Sequence, residues 1–257
     1  MKLLIKIGGT LLENDESRRA LAVQIAAQPK QGRQTVVVHG GGKRLSRYLK
    51  DQNYESEFRR GLRVTPPEIL DAVLRIYAGS VNHNLVAELQ KAGAKAVGLS
   101  GVDSGLVHAV QLHPEMGAVG EVDQVNAELL DLLTENGYIP TVACVAGSES
   151  GEIFNVNADQ MAAACAVGFL VDKAIFLTDV GGVLDADEKL LPRLTVSDCR
   201  KLIADGVAEG GMEAKLTAAS KSVEDGIGEV RIIAGAERNA LERVLDGDEL
   251  GTTITAD

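Results

Sequence analysis

The 257-residue sequence is short of positive charge: 37 acidic side chains stand against 26 lysines and arginines, a formal net charge of -11. That balance argues against a nucleic-acid backbone or an anionic membrane as partner. An anionic small substrate would need the few cations gathered in one place. Cysteine is scarce as well. Cys144, Cys165 and Cys199 lie far apart in apolar or helical surroundings and form no C-x-x-C pair. They read as small buried hydrophobes in a reducing compartment. The four histidines, His39, His83, His108 and His113, lack metal-ligand spacing. Only His39, beside glycines, is a candidate base. No apolar stretch of about 20 residues occurs, so no helix is expected to span a membrane. A basic start followed by a long apolar core and a cleavage site is also missing. The expected location is therefore the cytoplasm.

Two phosphate-binding fingerprints are absent. No G-x-x-x-x-G-K-S/T occurs, because Gly42-Lys43 is followed by Arg44 and the first glycine is missing. No G-x-G-x-x-G opens a helix. The chain is thus neither a P-loop enzyme nor a standard dinucleotide binder. It shows no internal repeat, low-complexity tract or linker.

Short apolar runs alternate with helical patterns instead. Residues 3–7 form a strand, 17–27 a helix and 35–38 a second strand, after which "GGGKRLSRYLKDQ" enters a second helix. This β-α-β-α order predicts an α/β fold, a three-layer αβα sandwich with a mainly parallel central sheet. Thr65-Pro66-Pro67-Glu68 fits a capping box with Thr65 as N-cap. Ile69, Val73, Ile76, Tyr77, Val81, Leu85 and Leu89 then recur at helical spacing, which predicts one long amphipathic helix ending near Gly93. Its apolar face could meet the sheet or another subunit.

Further on, 95–101 reads as a strand, 105–122 as a hairpin, 125–136 as a helix and "IPTVACV" as a strand. A strand turns into a helix at Asn157-Ala158-Asp159, and "KAIFLTDVGGVL" adds a strand with a glycine-containing loop. Helices follow at 196–204 and 212–225. The strands "EVRIIAG" and "TTITA" then close around a last helix at 238–245. Two lobes, 1–165 and 166–257, are expected within one domain.

Lys6 is the anomaly in the first strand, because a charge in a buried run is costly without a partner. Three strand ends carry glycines: Gly8-Gly9, Gly40-Gly41-Gly42 and Gly181-Gly182. Ligands of parallel α/β sheets bind beyond such ends, and glycine lets backbone N–H groups approach an anion. Together the three loops point to a polyphosphate site. Lys215, in "EGGMEAKL", falls near the first turn of a predicted helix, where the dipole already favours an anion. Either Asn157 or Asp159 could simply cap its helix. Asp159 could alternatively hold two lysines that would otherwise repel. Arg63, in "RRGLRVT", could grip a carboxylate in bidentate fashion. Its neighbours Arg59 and Arg60 leave open a solvated basic turn.

The motifs "KIGGT", "VVVHGGG", "GLRVTPPEILD", "GLSGVD", "ENGYIPTVA", "FNVNADQMAAA", "FLTDVGGVLD", "GGMEAKL" and "GTTI" run from residue 5 to residue 254. In that order they resemble the amino acid kinase superfamily, and within it the acetylglutamate branch. The resemblance implies transfer of the γ-phosphoryl of ATP to the side-chain carboxylate of N-acetyl-L-glutamate, within arginine synthesis. Lys6 and Lys215 would stabilise the migrating group, and Asp159 would organise both lysines. Gly8, Gly9, Gly41 and Gly42 would donate backbone hydrogen bonds. Arg63 and Asn155 would hold the acetylglutamate. Asp179, Val180, Gly181, Gly182, Val183 and Leu184, with Glu209, Gly210 and Gly211, would line the nucleotide pocket. Lobe 1–165 would bind the acceptor and dimerise, and lobe 166–257 would bind ATP. A carboxylate of reference pKa about 4.3 needs no general base at neutral pH. Mg2+ would ride on the nucleotide phosphates without a dedicated protein site.

Three positions depart from the family pattern. Thr10 replaces a frequent serine and keeps the hydroxyl. Gly182 replaces a frequent proline, which would loosen the nucleotide loop. Val102 replaces a frequent lysine. A related kinase acting on another acid, such as carrier-linked aminoadipate, is an alternative; "GLRVTPPE" and Asn155 lean against it. A catalytically inactive ligand sensor is a second alternative, opposed by the full set of catalytic residues. The chain starts almost at its first strand, whereas arginine-inhibited relatives carry an extra N-terminal helix. The resemblance therefore implies a plain homodimer joined through the long helix, and insensitive to arginine. An activity titration with arginine is expected to leave the rate unchanged, and clear inhibition would refute this.

Overall fold

A computed structural model describes residues 1–59 and 61–257. Arg60, one of the two arginines of the basic turn, lies outside the described residues. Five of the six residues of the first strand, Lys2–Ile7, are buried. The reason is its place in the middle of an eight-stranded sheet, parallel to Gln34–His39 on one side and Lys173–Thr178 on the other. A parallel strand covered on both faces needs a continuous apolar run rather than alternation. Across the sheet the order is Arg193–Thr195, Thr252–Thr255, Glu229–Ala234, Lys173–Thr178, Lys2–Ile7, Gln34–His39, Tyr138–Ala143 and Lys95–Ser100. Among these neighbours, Glu229–Ala234 and Thr252–Thr255 pair antiparallel. Strands from residues 2–143 occupy one half of the sheet and strands from 173–255 the other.

The hairpin expected within 105–122 is formed by Val107–Gln111 and Gly120–Val125. It belongs to a separate four-stranded sheet with Val145–Gly147 and Ile153–Asn155, which the sequence pattern does not reveal. Because Val125 is still paired with Val107, the following helix starts only at Glu128, three residues later than expected, and runs to Glu135. A bridge from Thr65 to Gly117 fastens this second sheet's hairpin to the chain entering the long helix, while another from Val119 to Asn155 ties the sheet's own segments together. Just before them, Phe58–Arg59 and Leu62–Arg63 form a miniature hairpin.

The long helix is one rod in three parts: an α-helix Pro67–Val73, a π-helix Leu74–Val81 and an α-helix Asn82–Lys91. All seven residues of the predicted apolar face are buried. They pack inside the chain, against Lys95–Ser100 and Tyr138–Ala143 among others. The capping box does not form. Pro66 is the N-cap, with φ -66° and ψ 170°, because a residue before proline is pushed out of the helical region. Thr65 is thereby released for another contact. The three cysteines are buried and free.

Gly117 sits at φ +65°, and a Cβ there would lie 2.4 Å from the Thr65 carbonyl oxygen. Gly117→Ala should lower unfolding stability by about 2 kcal/mol or more. An unchanged denaturation midpoint would contradict this account of how the second sheet is joined to the start of the long helix.

Candidate active site

The side chain of Lys6 leaves the central strand towards the helix Ala158–Gly168. There its Nζ lies 2.7 Å from Oδ1 of Asp159, in the helix's first turn. Lys215, one turn into the helix Gly211–Glu224, brings its Nζ to 3.6 Å from Oδ2 of the same carboxylate. Side-chain exposure is 5% for Lys6, 8% for Asp159 and 17% for Lys215. The Lys6 contact is an ion pair without hydrogen-bond alignment, since Oδ1 has no angle-satisfying donor among the described residues. Lys215 also donates to the Gly211 carbonyl, at 3.1 Å. Asn157 is the true helix cap, accepting from the Asp159 and Gln160 N–H groups at 2.9 and 3.2 Å. Asp159 is thereby free to pair with the lysines.

The glycine loops lie beside this triad. Gly9 and Gly42 each open a helix, so their N–H groups have no intrahelical acceptor. A Cβ on Gly9 would stand 3.5 Å from the Gly42 nitrogen, which places the two loops against each other. Gly8 does not serve as the expected donor: its N–H is spent on the Leu177 carbonyl at 2.9 Å. Gly41 carries the ring of Tyr77 beneath it, 2.8 Å from where a Cβ would be.

His39 is fully buried. Its Nδ1 is 3.0 Å from the Gly40 carbonyl, an acceptor, so the proton sits on Nδ1. Its Nε2 accepts from Asn82 at 2.9 Å, and Asn82 also donates to the Thr141 carbonyl at 2.8 Å. Burial pushes the imidazole down to about 4, with the Gly40 hydrogen bond opposing. A neutral ring with both nitrogens engaged is a brace for the Gly40–Gly42 turn and no base.

Arg63 is buried and stacks on Phe58, 4.5 Å from the ring centroid. It donates to Ser56 Oγ, to Ser46 Oγ at 2.6 Å and to the Gly42 carbonyl at 3.4 Å. No carboxylate pairs with it among the described residues. Burial lowers its pKa against the pull of nearby Tyr77. Arg59, by contrast, is exposed and paired with Glu57 and Glu115. Asn155 Nδ2 donates to Thr65 Oγ1 at 3.0 Å, and that hydroxyl donates to the Arg63 carbonyl at 2.8 Å. Arg63 and Asn155 are thus connected through the threonine freed from capping. Ser46, Ser56, Phe58, Thr65 and Tyr77 all escaped the sequence reading as site residues. Ser46 alone had a signal, being four residues, one helical turn, beyond Gly42.

Asp179 leaves the end of Lys173–Thr178 close to Thr10 and Lys43. Burial raises its pKa, but hydrogen bonds from Thr10, its own backbone and Thr178, together with Lys43, outweigh this and hold it low. Val180 and Leu184 are exposed, whereas Val183 is buried, with its N–H on Thr252 Oγ1 at 2.8 Å. Gly182 does not loosen this loop. Its φ is +151°, and a Cβ would fall 2.6 Å from Leu190 Cδ1 and 2.7 Å from Thr252 Oγ1. Glu209, Gly210 and Gly211 lead into the Lys215 helix and share no hydrogen bond with the 179–184 loop among the described residues. Val102 is exposed. No three His, Cys, Asp or Glu side chains gather as metal ligands among the described residues.

Two ammonium groups and free helix-start N–H groups at the ends of parallel strands make up an anion site of the kind that serves phosphoryl transfer. The family model described as Amino acid kinase family matches residues 1–234, and the chain belongs to this family. It is 57% identical over 254 residues to an acetylglutamate kinase of Solibacter usitatus, covering 99% of both chains. To an acetylglutamate kinase of Koribacter versatilis it is 40% identical, over 99% of this chain and 100% of the relative. A solved structure from Streptococcus mutans has a TM-score of 0.84 at 30% identity, covering 100% of this chain and 99% of that one.

Lys6→Ala and Lys215→Ala should each lower turnover by about 100-fold or more while circular dichroism stays native. Near-native kcat in either would remove it from the site. The unfolded chain protonates His39 near its ordinary value of 6.5, the folded chain only near 4. The group therefore costs stability as pH falls from 6.5 to 4, up to about 3 kcal/mol, and nothing above that window. Denaturation of His39→Gln should show a shallower acid decline than the parent; parallel profiles would contradict the assignment.

Proposed function

We propose that this chain transfers the γ-phosphoryl of ATP to the side-chain carboxylate of N-acetyl-L-glutamate, forming an acyl phosphate and ADP in arginine biosynthesis. The observation that carries the reading is the convergence of Lys6 and Lys215 on Asp159, beside the glycine loops. Similarity to two acetylglutamate kinases supports the choice of acceptor.

In this reading an acceptor carboxylate oxygen attacks the γ-phosphorus in line. The new P–O bond forms as the bond to ADP breaks, and ADP departs with the electron pair. The acceptor is already ionised at neutral pH, so the engagement of both His39 nitrogens is no obstacle. Lys6 and Lys215 meet the negative charge spread over the migrating group, and Gly9 and Gly42 add backbone donors. Arg63 binds a carboxylate of the acceptor, because its buried charge is unmatched, and Asn155 flanks it. The segments 179–184 and 209–211 line the nucleotide pocket, with residues 166–257 as the ATP lobe and 1–165 as the acceptor lobe. Mg2+ bound to the nucleotide would neutralise phosphate charge. The donor set fits this arrangement, since the lysines and N–H groups address anions and leave the ion to phosphate and water. We further propose a cytoplasmic homodimer. Because the apolar face of the long helix is consumed within the chain, a partner would meet its polar face.

A coupled assay of ADP release is expected to give rapid turnover with N-acetyl-L-glutamate and at least about 100-fold less with free glutamate, whose charged amine lacks the acetyl group. Preference for glutamate or an aminoadipate derivative would overturn the proposal.

A further inference from the structure

The Tyr77 ring is carried by the π-helical stretch Leu74–Val81, the one part of the long rod with widened turns. Such turns are rare overall and frequent at functional sites. The ring lies beneath Gly41, where a Cβ would come within 2.8 Å of Cδ1 and 3.0 Å of Cε1. It is therefore clamped, and its hydroxyl has a set position. That oxygen lies 3.9 Å from where a Cβ on Gly42 would stand, and it feels the Arg63 guanidinium. Arg63 acts on that oxygen as a hydrogen-bond donor, and a phenol oxygen that accepts from a guanidinium still has its own O–H to give. Arg63 spends its own donors on Ser56, Ser46 and the Gly42 carbonyl, with no carboxylate partner among them. Burial, opposed by Arg63, raises the phenol to about 12, so the hydroxyl keeps its proton and can donate.

We infer that the Tyr77 hydroxyl donates to the acceptor carboxylate held by Arg63 and is a specificity-determining residue of the acceptor pocket. The inference rests on the acetylglutamate reading above. A neutral donor beside a cation rewards a carboxylate, which can accept from both, over a neutral group of the same shape. Because the ring supports the Gly41 turn while the hydroxyl lies beside Gly42 and Arg63, the two roles can be separated by removing the oxygen alone.

The test is Tyr77→Phe, which keeps the ring under Gly41. Calorimetric titration with N-acetyl-L-glutamate and steady-state kinetics are compared with the parent protein. Affinity for the acceptor should fall about tenfold, the loss of one hydrogen bond to a charged group. kcat at saturating acceptor should stay within about twofold, and KM for ATP should not move, since this contact is made equally before and during transfer. Unchanged acceptor affinity, or a loss confined to kcat, would overturn the inference and leave the proposed reaction standing. Failure of the parent protein itself to bind N-acetyl-L-glutamate would overturn both.

Discussion

One buried carboxylate holds the two lysines of the candidate site together. Lys6 stands in a buried strand in the middle of the sheet, where a lone ammonium would be strongly destabilising. Asp159 meets it from the neighbouring layer and reaches Lys215 with its other oxygen. The pairing brings two like charges to one point before any ligand arrives. The cluster still carries more positive than negative charge, so an anion has something to gain by entering. Donors already aimed at the place where charge accumulates need little reorganisation during reaction.

The surroundings of Arg63 are built by a different constraint. The four-stranded second sheet is fastened to the start of the long helix, and the Asn155–Thr65–Arg63 chain of hydrogen bonds runs across that junction. Arg63 is kept buried by a stacked aromatic ring and by hydroxyls rather than by a carboxylate. Its charge is therefore stored rather than cancelled. His39 and Asn82 anchor the intervening Gly40–Gly42 turn from below. Each half of the site thus borrows its rigidity from a layer of the fold.

Much of this was legible in the residues. Continuous apolar runs marked the parallel strands because burial on both faces erases alternation. Lys6 and the glycines stood out because they break those runs. Distant contacts were not legible. The hairpin and the strand before Asn157 were read separately, but their union with the three-residue strand Val145–Gly147 into a second sheet leaves no mark in the local pattern. Threonine and glutamate spaced as a capping box predicted a cap at Thr65, but two successive prolines moved the helix start. Gly182 suggested looseness by comparison with proline, whereas Thr252, far along the chain, pins the loop. Gly8 signalled a close backbone approach and could not reveal that Leu177, not a ligand, is what it approaches. The π stretch is invisible because apolar residues three and four apart suit both kinds of turn.

The account depends most on both ammonium groups serving the same migrating phosphoryl group. A crystal structure with ADP, Mg2+, aluminium fluoride and N-acetyl-L-glutamate would measure this directly. It should place Lys6 Nζ and Lys215 Nζ within hydrogen-bond distance of the fluoride that mimics the transferring phosphoryl. A fluoride contacted by only one of them, with the other turned away into solvent, would contradict the account.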